Sequence, residues 1–458
     1  MKPIALGLLP TLILTACVST QPADLSTLTI PTSWQTAGNF PTSSPEQDLR
    51  RWWSSFGDAQ LTRLIQAALE NSPDLESARQ AVRQAQAQRS ETAATLFPSL
   101  GYTTGASTAK TWDREGANNS STAYSAGLSA SWEPDLFGGN RQSVRAADAV
   151  VDSAKASLAS ARASLATETA IAYFQLRASE KGLEILRKSI AAQEETTQIA
   201  QWRTQAGQID DLELDQSISA LESARAAIHS LEQNVAQTKN LLNLLAGYAP
   251  GSLKIDSGDA IPQPSRQLAI GIPHDAIRQR PDVRAAGSSW LAAIARTEAA
   301  EAEQFPSLSL SGTISIDSVR ASRLIDPEAA AASIIAGLTG PIFDAGQIRA
   351  QIEGQDAVEK QAFQSYRSSI LTALSEVEDA LIACRQSEAQ ISTLEKAVAS
   401  ARSAAELAAG KYEAGVIDIT PVLDTQRSQL STERELLAAQ LDHASAYAEL
   451  YRAAGGGW

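Results

Sequence analysis

The sequence predicts a mainly α-helical chain that also contributes strands to a membrane β-barrel. Three observations predict it: a very long apolar stripe with a 3.5-residue period, a set of landmarks repeated at a single offset, and runs of about ten residues that alternate apolar and polar. The stripe runs from Phe363 to Tyr412. Steps of three and four residues in alternation meet Phe363, Tyr366, Ile370, Ala373, Val377, Ala380, Cys384, Ser387, Ile391, Leu394, Val398, Ala401, Ala405, Ala408 and Tyr412, of which only Ser387 is polar. That is a coiled-coil seam. No proline lies between Asp344 and Thr420, so one helix is expected from about Gly346 to Tyr412, roughly 100 Å long. A seam alone also suits a stalk or filament, so the rest of the chain has to decide.

The repeat narrows the choice. Pro73-Asp74-Leu75 returns as Pro281-Asp282-Val283, Phe97-Pro98-Ser99-Leu100 as Phe305-Pro306-Ser307-Leu308, Ala206-Gly207-Gln208-Ile209-Asp210 as Ala414-Gly415-Val416-Ile417-Asp418, and Ala246-Gly247 as Ala454-Gly455, each 208 positions later. The seam returns more weakly at Leu158, Leu165, Ala172, Leu176, Leu183, Leu186 and Ile190. The chain therefore reads as two copies of one unit.

In chain order, Lys2 precedes an apolar run from about Ile4 to Leu14, too short to span a bilayer and shaped like a secretory signal. Leu14-Thr15-Ala16-Cys17 resembles a bacterial lipobox. That resemblance implies removal of a signal peptide, residues 1–16, and diacylation of Cys17; Val18 rather than Asp after the cysteine fits sorting to the outer membrane. Residues 17–57, rich in Pro, Ser and Thr, read as a lipid-anchored extended segment ending in Trp52 and Trp53. A first repeat is expected over residues 58–247: a short helix begun by Asp58 and broken at Asn71-Ser72-Pro73, a second from about Asp74 to Leu96, a strand pair over about 99–132, and a long helical hairpin over about 139–246. Residues 248–273 form a Pro/Gly-rich linker. Residues 274–455 repeat the unit, with strands over about 306–342 and a hairpin over about 346–454, before a tail at 456–458.

The strand runs are explicit in two places. Tyr124, Ala126, Leu128, Ala130 and Trp132 alternate with Ser and Gly; Leu308, Leu310, Ile314 and Ile316 alternate with Ser. Weaker runs are Tyr102–Ala109 and Ser333–Ile342, with polar loops expected over Lys110–Ser121 and Asp317–Ala330. Ten residues suit a tilted strand crossing a bilayer. Four strands cannot close a barrel, and an open sheet cannot sit in hydrocarbon with unpaired backbone groups, so several copies must join. Two copies supply eight strands and three supply twelve. The long helices beneath would then enclose a water-filled tunnel.

Composition removes other classes. The net charge of −14 argues against a nucleic-acid partner. His229, His274 and His443 lack metal-ligand spacing, and no nucleophile elbow or phosphate-cradling glycine loop is present. Cys384 lies on the seam and reads as a buried apolar residue. No enzyme activity, cofactor or metal is expected.

Several motifs then carry a resemblance over essentially the whole mature chain: Trp52-Trp53-Ser54-Ser55-Phe56-Gly57-Asp58 leading into Leu61-Thr62-Arg63-Leu64-Ile65, then Gln279-Arg280-Pro281-Asp282-Val283, and Tyr412-Glu413-Ala414-Gly415-Val416-Ile417-Asp418 ending in Val422-Leu423-Asp424. The chain resembles the TolC-type outer-membrane efflux proteins, in their NodT-type lipoprotein branch. The resemblance implies a homotrimer with a twelve-stranded barrel on a twelve-helix periplasmic tunnel. It also implies a passive duct for drugs or other small solutes, working with a periplasmic adaptor (membrane fusion protein) and an inner-membrane proton-driven pump, and held by outer-membrane lipid. The two hairpin turns, with Gln205, Gly207, Gln208 and Ile209 on one and Gly415, Val416 and Ile417 on the other, would dock the adaptor. Each turn also pairs a helix-ending Gly with an Asp suited to cap the next helix. Asp424 aligns with a constriction aspartate of the family, and Asp418 is a second gate candidate; Pro421 and Ile417 depart from the family's charged pattern there. A type I protein-secretion duct and a non-porous coiled-coil spacer or adhesin are the alternatives.

Overall fold

The structure is a computed structural model and describes residues 31–35, 49–112, 118–258, 260–264, 273–324, 326 and 330–456. Pro31–Trp458 forms one unit, to which all of these belong. The signal-peptide and Cys17 expectations, part of the linker and the end of the tail lie outside the described residues.

Local chemistry sets each start. The Asp58 carboxylate accepts from the backbone N–H of Gln60 at 2.7 Å and of Leu61 at 2.9 Å, capping α1 (Ala59–Asn71). Pro73, whose missing N–H costs nothing in a first turn, opens α2 (Pro73–Ala94). Strands β1 (Ser99–Trp112) and β2 (Asn118–Trp132) follow, then α3 (Gly139–Gln205) and α4 (Asp211–Leu245). After α5 (Pro273–Gln279) the order returns as α6 (Pro281–Ala302), β3 (Ser307–Ser318), β4 (Ala330–Thr339), α7 (Gln347–Glu413) and α8 (Ile419–Ala453). Helices α2 and α6, α3 and α7, and α4 and α8 each start 208 positions apart. The two long helices have 67 residues each, roughly 100 Å at ~1.5 Å per residue.

Two boundaries differ from expectation. β1 and β2 are 14 and 15 residues long rather than about ten, because the polar ends read as loop, Lys110–Trp112 and Asn118–Ser121, continue the same antiparallel register. At the second pair, β4 begins at Ala330 and stops at Thr339 instead of running to Ile342.

Most of the stripe is buried: Ile370, Ala373, Val377, Ala380, Cys384, Ser387, Val398, Ala405, Ala408 and Tyr412 are buried on α7, and Phe363, Tyr366, Ile391, Leu394 and Ala401 part-buried. Near the strands the helices pack side by side in the order α2, α3, α6, α7, and toward the other end as α4, α3, α8, α7. The main core sits at neither end. It lies where Trp52, Trp53, Phe56 and α1 pack on the middle of α3 around Phe174 and on α7 and α8 around Cys384 and Tyr447, some 40–60 Å along α3 at ~1.5 Å per residue. Burial pushes the Cys384 thiol up to about 12, so it remains an inert apolar filler there.

Two buried arginines fasten this waist. Arg177 on α3 pairs with Glu180, donates to the Gln60 side chain at 3.0 Å and the Asp256 carbonyl at 2.7 Å, and stacks on Tyr173. Arg280, 2% exposed, donates twice to Asp282, at 3.0 and 2.6 Å, once to Glu376 on α7 at 2.6 Å, and once to the Ala453 carbonyl at 3.0 Å. The Gln-Arg-Pro-Asp-Val motif is thus a junction of α6, α7 and the end of α8.

Candidate functional site

The sheet order is β1-β2-β3-β4, all antiparallel, with one outer edge on β1 and one on β4. Register divides it into two chemically distinct faces. Tyr102 pairs Leu128, which pairs Ile314; Trp132 pairs Leu310; Leu308 pairs Leu338. The alternate positions pair Ser99 with Ser131, Gly101 with Ser129, Ser131 with Ser311 and Thr313 with Ser333. One face is mainly apolar, with Thr104 and Thr108 on it, and the other carries mainly hydroxyls, with Ile335 beside Ser311; several hydroxyls are bonded across strands, as Ser99 to Ser131 at 2.8 Å and Thr313 to Ser333 at 2.7 Å. Among the described residues no layer covers the apolar face: Leu100, Tyr102, Ile314, Ile334 and Leu338 are all exposed. Phe137 stacks on Phe305 at 4.9 Å where the strands meet the helices, and Trp112 stands at the far end of β1. Aromatic residues at both ends of an outward apolar band are how a barrel wall meets two lipid interfaces. Among the described residues no helix is long and apolar enough to cross a membrane, so any crossing falls to the sheet.

At the other end of the long helices lie the two turns. Each closes with a six-to-one backbone bond: Gln208 N–H to the Arg203 carbonyl and Val416 N–H to the Lys411 carbonyl, both at 2.9 Å. Gly207 at φ +67° and Gly415 at φ +73° supply the left-handed residue this closure needs. Asp210 caps α4 by accepting from the Glu213 N–H at 3.2 Å. Asp418 holds the matching position before α8 but makes no side-chain cap bond, so the expected symmetry of caps fails at the second turn.

Gln205, Gly207, Gln208 and Gly415 are exposed, and Val416 is 70% exposed. Ile209 and Ile417 turn inward instead. They pack on a cluster that both hairpins share: Ala200 from α3, Ala408 and Tyr412 from α7, and Ile419, Val422 and Leu423 from α8. Of the seven turn residues, Ile209 and Ile417 are thus part-buried and the other five exposed. Apolar side chains beside an apolar cluster gain more by joining it than by facing water.

The residue that sequence reading missed is Arg203. Its guanidinium stacks on the Tyr412 ring at 4.6 Å and lies against Gly415, where an added Cβ would approach it to 3.1 Å. The contact ties the end of α3 to the end of α7. One signal existed: Lys411, the repeat counterpart of Arg203, also stands four residues before the turn glycine. Burial pushes the Tyr412 hydroxyl up. Arg203 opposes that rise by its charge and by a loose polar contact with the hydroxyl, which is buried and makes no hydrogen bond of ordinary geometry. Replacing Arg203 with Ala should therefore loosen the joined tips by about 1–2 kcal/mol, while Tyr412→Phe should be neutral or slightly stabilising. The expected readout is a higher open-state conductance for the first variant and an unchanged one for the second. Equal conductance in both would remove Arg203 from the tip's closure.

Asp424 is exposed and, among the described residues, pairs with Arg427 one turn on, at 3.3 Å, a weak surface contact. The pair stands on the wall of a cavity of about 810 Å³ between α4 and α8 whose lining includes Gln193 and Asp215. Of the histidines, His229 is exposed beside Glu232, His443 lies 3.0 Å from the Ser387 hydroxyl, and the His274 side chain is outside the described residues. Among the described residues no cluster could hold a metal ion.

A family model for outer membrane efflux proteins matches residues 64–248 and again 272–456. The chain is similar to the pyoverdine export outer membrane protein OpmQ of Pseudomonas aeruginosa, at 32% identity over 461 residues, covering 98% of this chain and 95% of that one. Among solved structures it is similar to the outer-membrane channel OprN, with TM-score 0.88 and 29% identity over 94% of this chain and 97% of the other. It is also similar to the transmembrane channel CusC, with TM-score 0.81 and 27% identity over 92% of this chain and 100% of the other.

Proposed function

The chain belongs to the outer membrane efflux protein family, and from that premise we propose that it is the passive exit duct of a tripartite efflux pump, carrying small solutes across the periplasm and the outer membrane. The observation that supports this most is the division of the sheet into a lipid-compatible face and a hydroxyl face with both edges open. Three copies close it into a twelve-stranded barrel whose polar face lines the pore. The four long and half-length helix rows of each copy continue that pore as a tunnel. The duct supplies no energy; an inner-membrane proton-driven pump does, joined through a periplasmic adaptor.

The exposed turn residues Gln205, Gly207, Gln208, Gly415 and Val416 receive the adaptor, with Ile209 and Ile417 bracing them from within. Asp418 and Asp424, three copies of each around one axis, make the tip an acidic constriction that favours cations. Cys17, freed by removal of residues 1–16, carries the lipid that holds the N-terminus at the outer membrane; the intact mass of the mature chain reads its presence or absence. Purified protein in a planar bilayer is expected to conduct, with cations preferred over anions, and Asp424→Asn to weaken that preference. A trimer that inserts without conducting would contradict the duct.

A further inference from the structure

One side of α3 stays open where the core covers the other. Between Ser164 and Gln175 only Ser164, Glu168 and Gln175 are exposed, and spacings of four and seven put all three on one side of the helix. Ala166, Ala170, Tyr173 and Phe174 join the core built around Trp52, Trp53 and Phe56 on the opposite side. The open side is the floor of a groove of about 430 Å³, walled by Leu241 of α4 and by Glu449 and Arg452 of α8. Glu168 lies roughly 45 Å along α3 from Gly139, at ~1.5 Å per residue. In the duct proposed above the helices make a wall one layer thick. The tryptophan core adds a second layer, which inside would fill the tunnel. That core is therefore outside, and the groove faces the lumen.

The groove carries an apolar part, a spare hydroxyl and an excess of acid. The apolar part is Ile171 with Leu241, which is 40% exposed. Thr167 lines the floor, is 2% exposed, and its hydroxyl makes no hydrogen bond, although buried polar groups nearly always have a partner. A helical threonine has two side-chain rotamers open to it, so this hydroxyl can turn to meet a bound donor. Arg452 is the cation on the walls, and it is shared between Glu449 at 2.8 Å and Glu376 at 3.6 Å. Glu168 pairs with no cation among the described residues. A recess of this volume suits a drug-sized molecule, and its uncompensated carboxylate selects positive charge. We propose that the groove is a binding station for amphipathic organic cations passing along the duct. The charge sits beside Glu168, the apolar body rests on Ile171 and Leu241, and a donor on the solute meets Thr167. A small hydrated cation gains the first contact alone. A neighbouring copy in the ring does not reach this floor, because α3 has α4 and α8 of its own chain on its two flanks.

The inference rests on the duct reading, and two cations separate their failures. Full-length protein in planar bilayers with potassium chloride gives the open current of each variant, and block is read as a fraction of that current. Ethidium, a permanent aromatic cation bearing amino groups, should half-block at about tenfold lower concentration than tetramethylammonium. Glu168→Gln should raise the half-blocking ethidium concentration about threefold, and Thr167→Val should also raise it about threefold. Leu241→Ser should raise it about fivefold without moving the tetramethylammonium value. A channel that conducts but is blocked alike by both cations, or whose ethidium block any of the three variants leaves unchanged, overturns the groove and leaves the duct standing. So does an ethidium block that Asp424→Asn abolishes, since the site is then at the tip. Protein that inserts without conducting overturns both.

Discussion

Arginine at Leu128 should abolish stable insertion, while arginine at the very next residue, Ser129, should be tolerated. Leu128 lies between Tyr102 and Ile314 on the apolar face, and Ser129 lies between Gly101 and Thr313 on the hydroxyl face. A guanidinium facing lipid near the bilayer midplane costs about 2–4 kcal/mol in each copy, and closure needs every copy. At Ser129 the same group faces pore water and keeps its hydration. The expected result for Leu128→Arg is loss of the membrane-inserted trimer on unheated gels and no conductance in bilayers. For Ser129→Arg it is a normal trimer with smaller unit conductance and weaker cation preference, since the charges narrow and electropositively line the pore. If the two variants insert equally well, the face assignment is wrong, and the duct reading goes with it.

The second large effect is at Arg280. Its side chain is almost wholly buried and spends its donors on Asp282, Glu376 and the Ala453 carbonyl. Removing the guanidinium leaves the Ala453 carbonyl without its donor and takes the partner from Asp282, while Glu376 keeps Arg452 at 3.6 Å and both carboxylates are partly exposed, at a cost of about 1–3 kcal/mol. Arg280→Ala should unfold in urea at a clearly lower midpoint. Substituting Met at 280 together with Asn at 282 and Gln at 376 should recover much of the loss, because no buried charge then stands alone. Acid should act on the same junction. Burial by itself would push the Asp282 carboxyl up, but its two bonds from Arg280 outweigh that and hold it below the usual carboxylate range. A depressed folded value means that the pair's contribution is complete above about pH 4 and is lost as pH falls through the folded value. The wild-type midpoint should therefore drop more steeply below about pH 4 than that of the triple variant. Parallel pH curves would exclude this pair as the acid-sensitive lock.

Much of this was legible in residue order. The seam from Phe363 to Tyr412 could be read because side chains three and four apart share a helix face, and the buried residues of α7 follow it. The alternation of Leu128 and Ser129 could be read because strand side chains alternate between faces. Lys110–Trp112 looked like loop because polar residues dominate there, yet pairing with Asn118–Ser120 carries them into the sheet. The inward turn of Ile209 and Ile417 and the reach of Arg203 to Tyr412 were not legible. They depend on the two hairpins lying side by side, and the partners are some 200 positions apart in the chain.

Residue order was enough for the periods, the repeat and hence the order of the elements, because periodicity and turn chemistry act over a few residues at a time. Tertiary structure alone decided which of the repeated positions are covered: Phe174 is buried and Ile382 exposed although both occupy the same place in their units. Burial depends on which neighbour lies alongside: α3 has helices of this chain on both flanks, and α7 packs on α6 and α8.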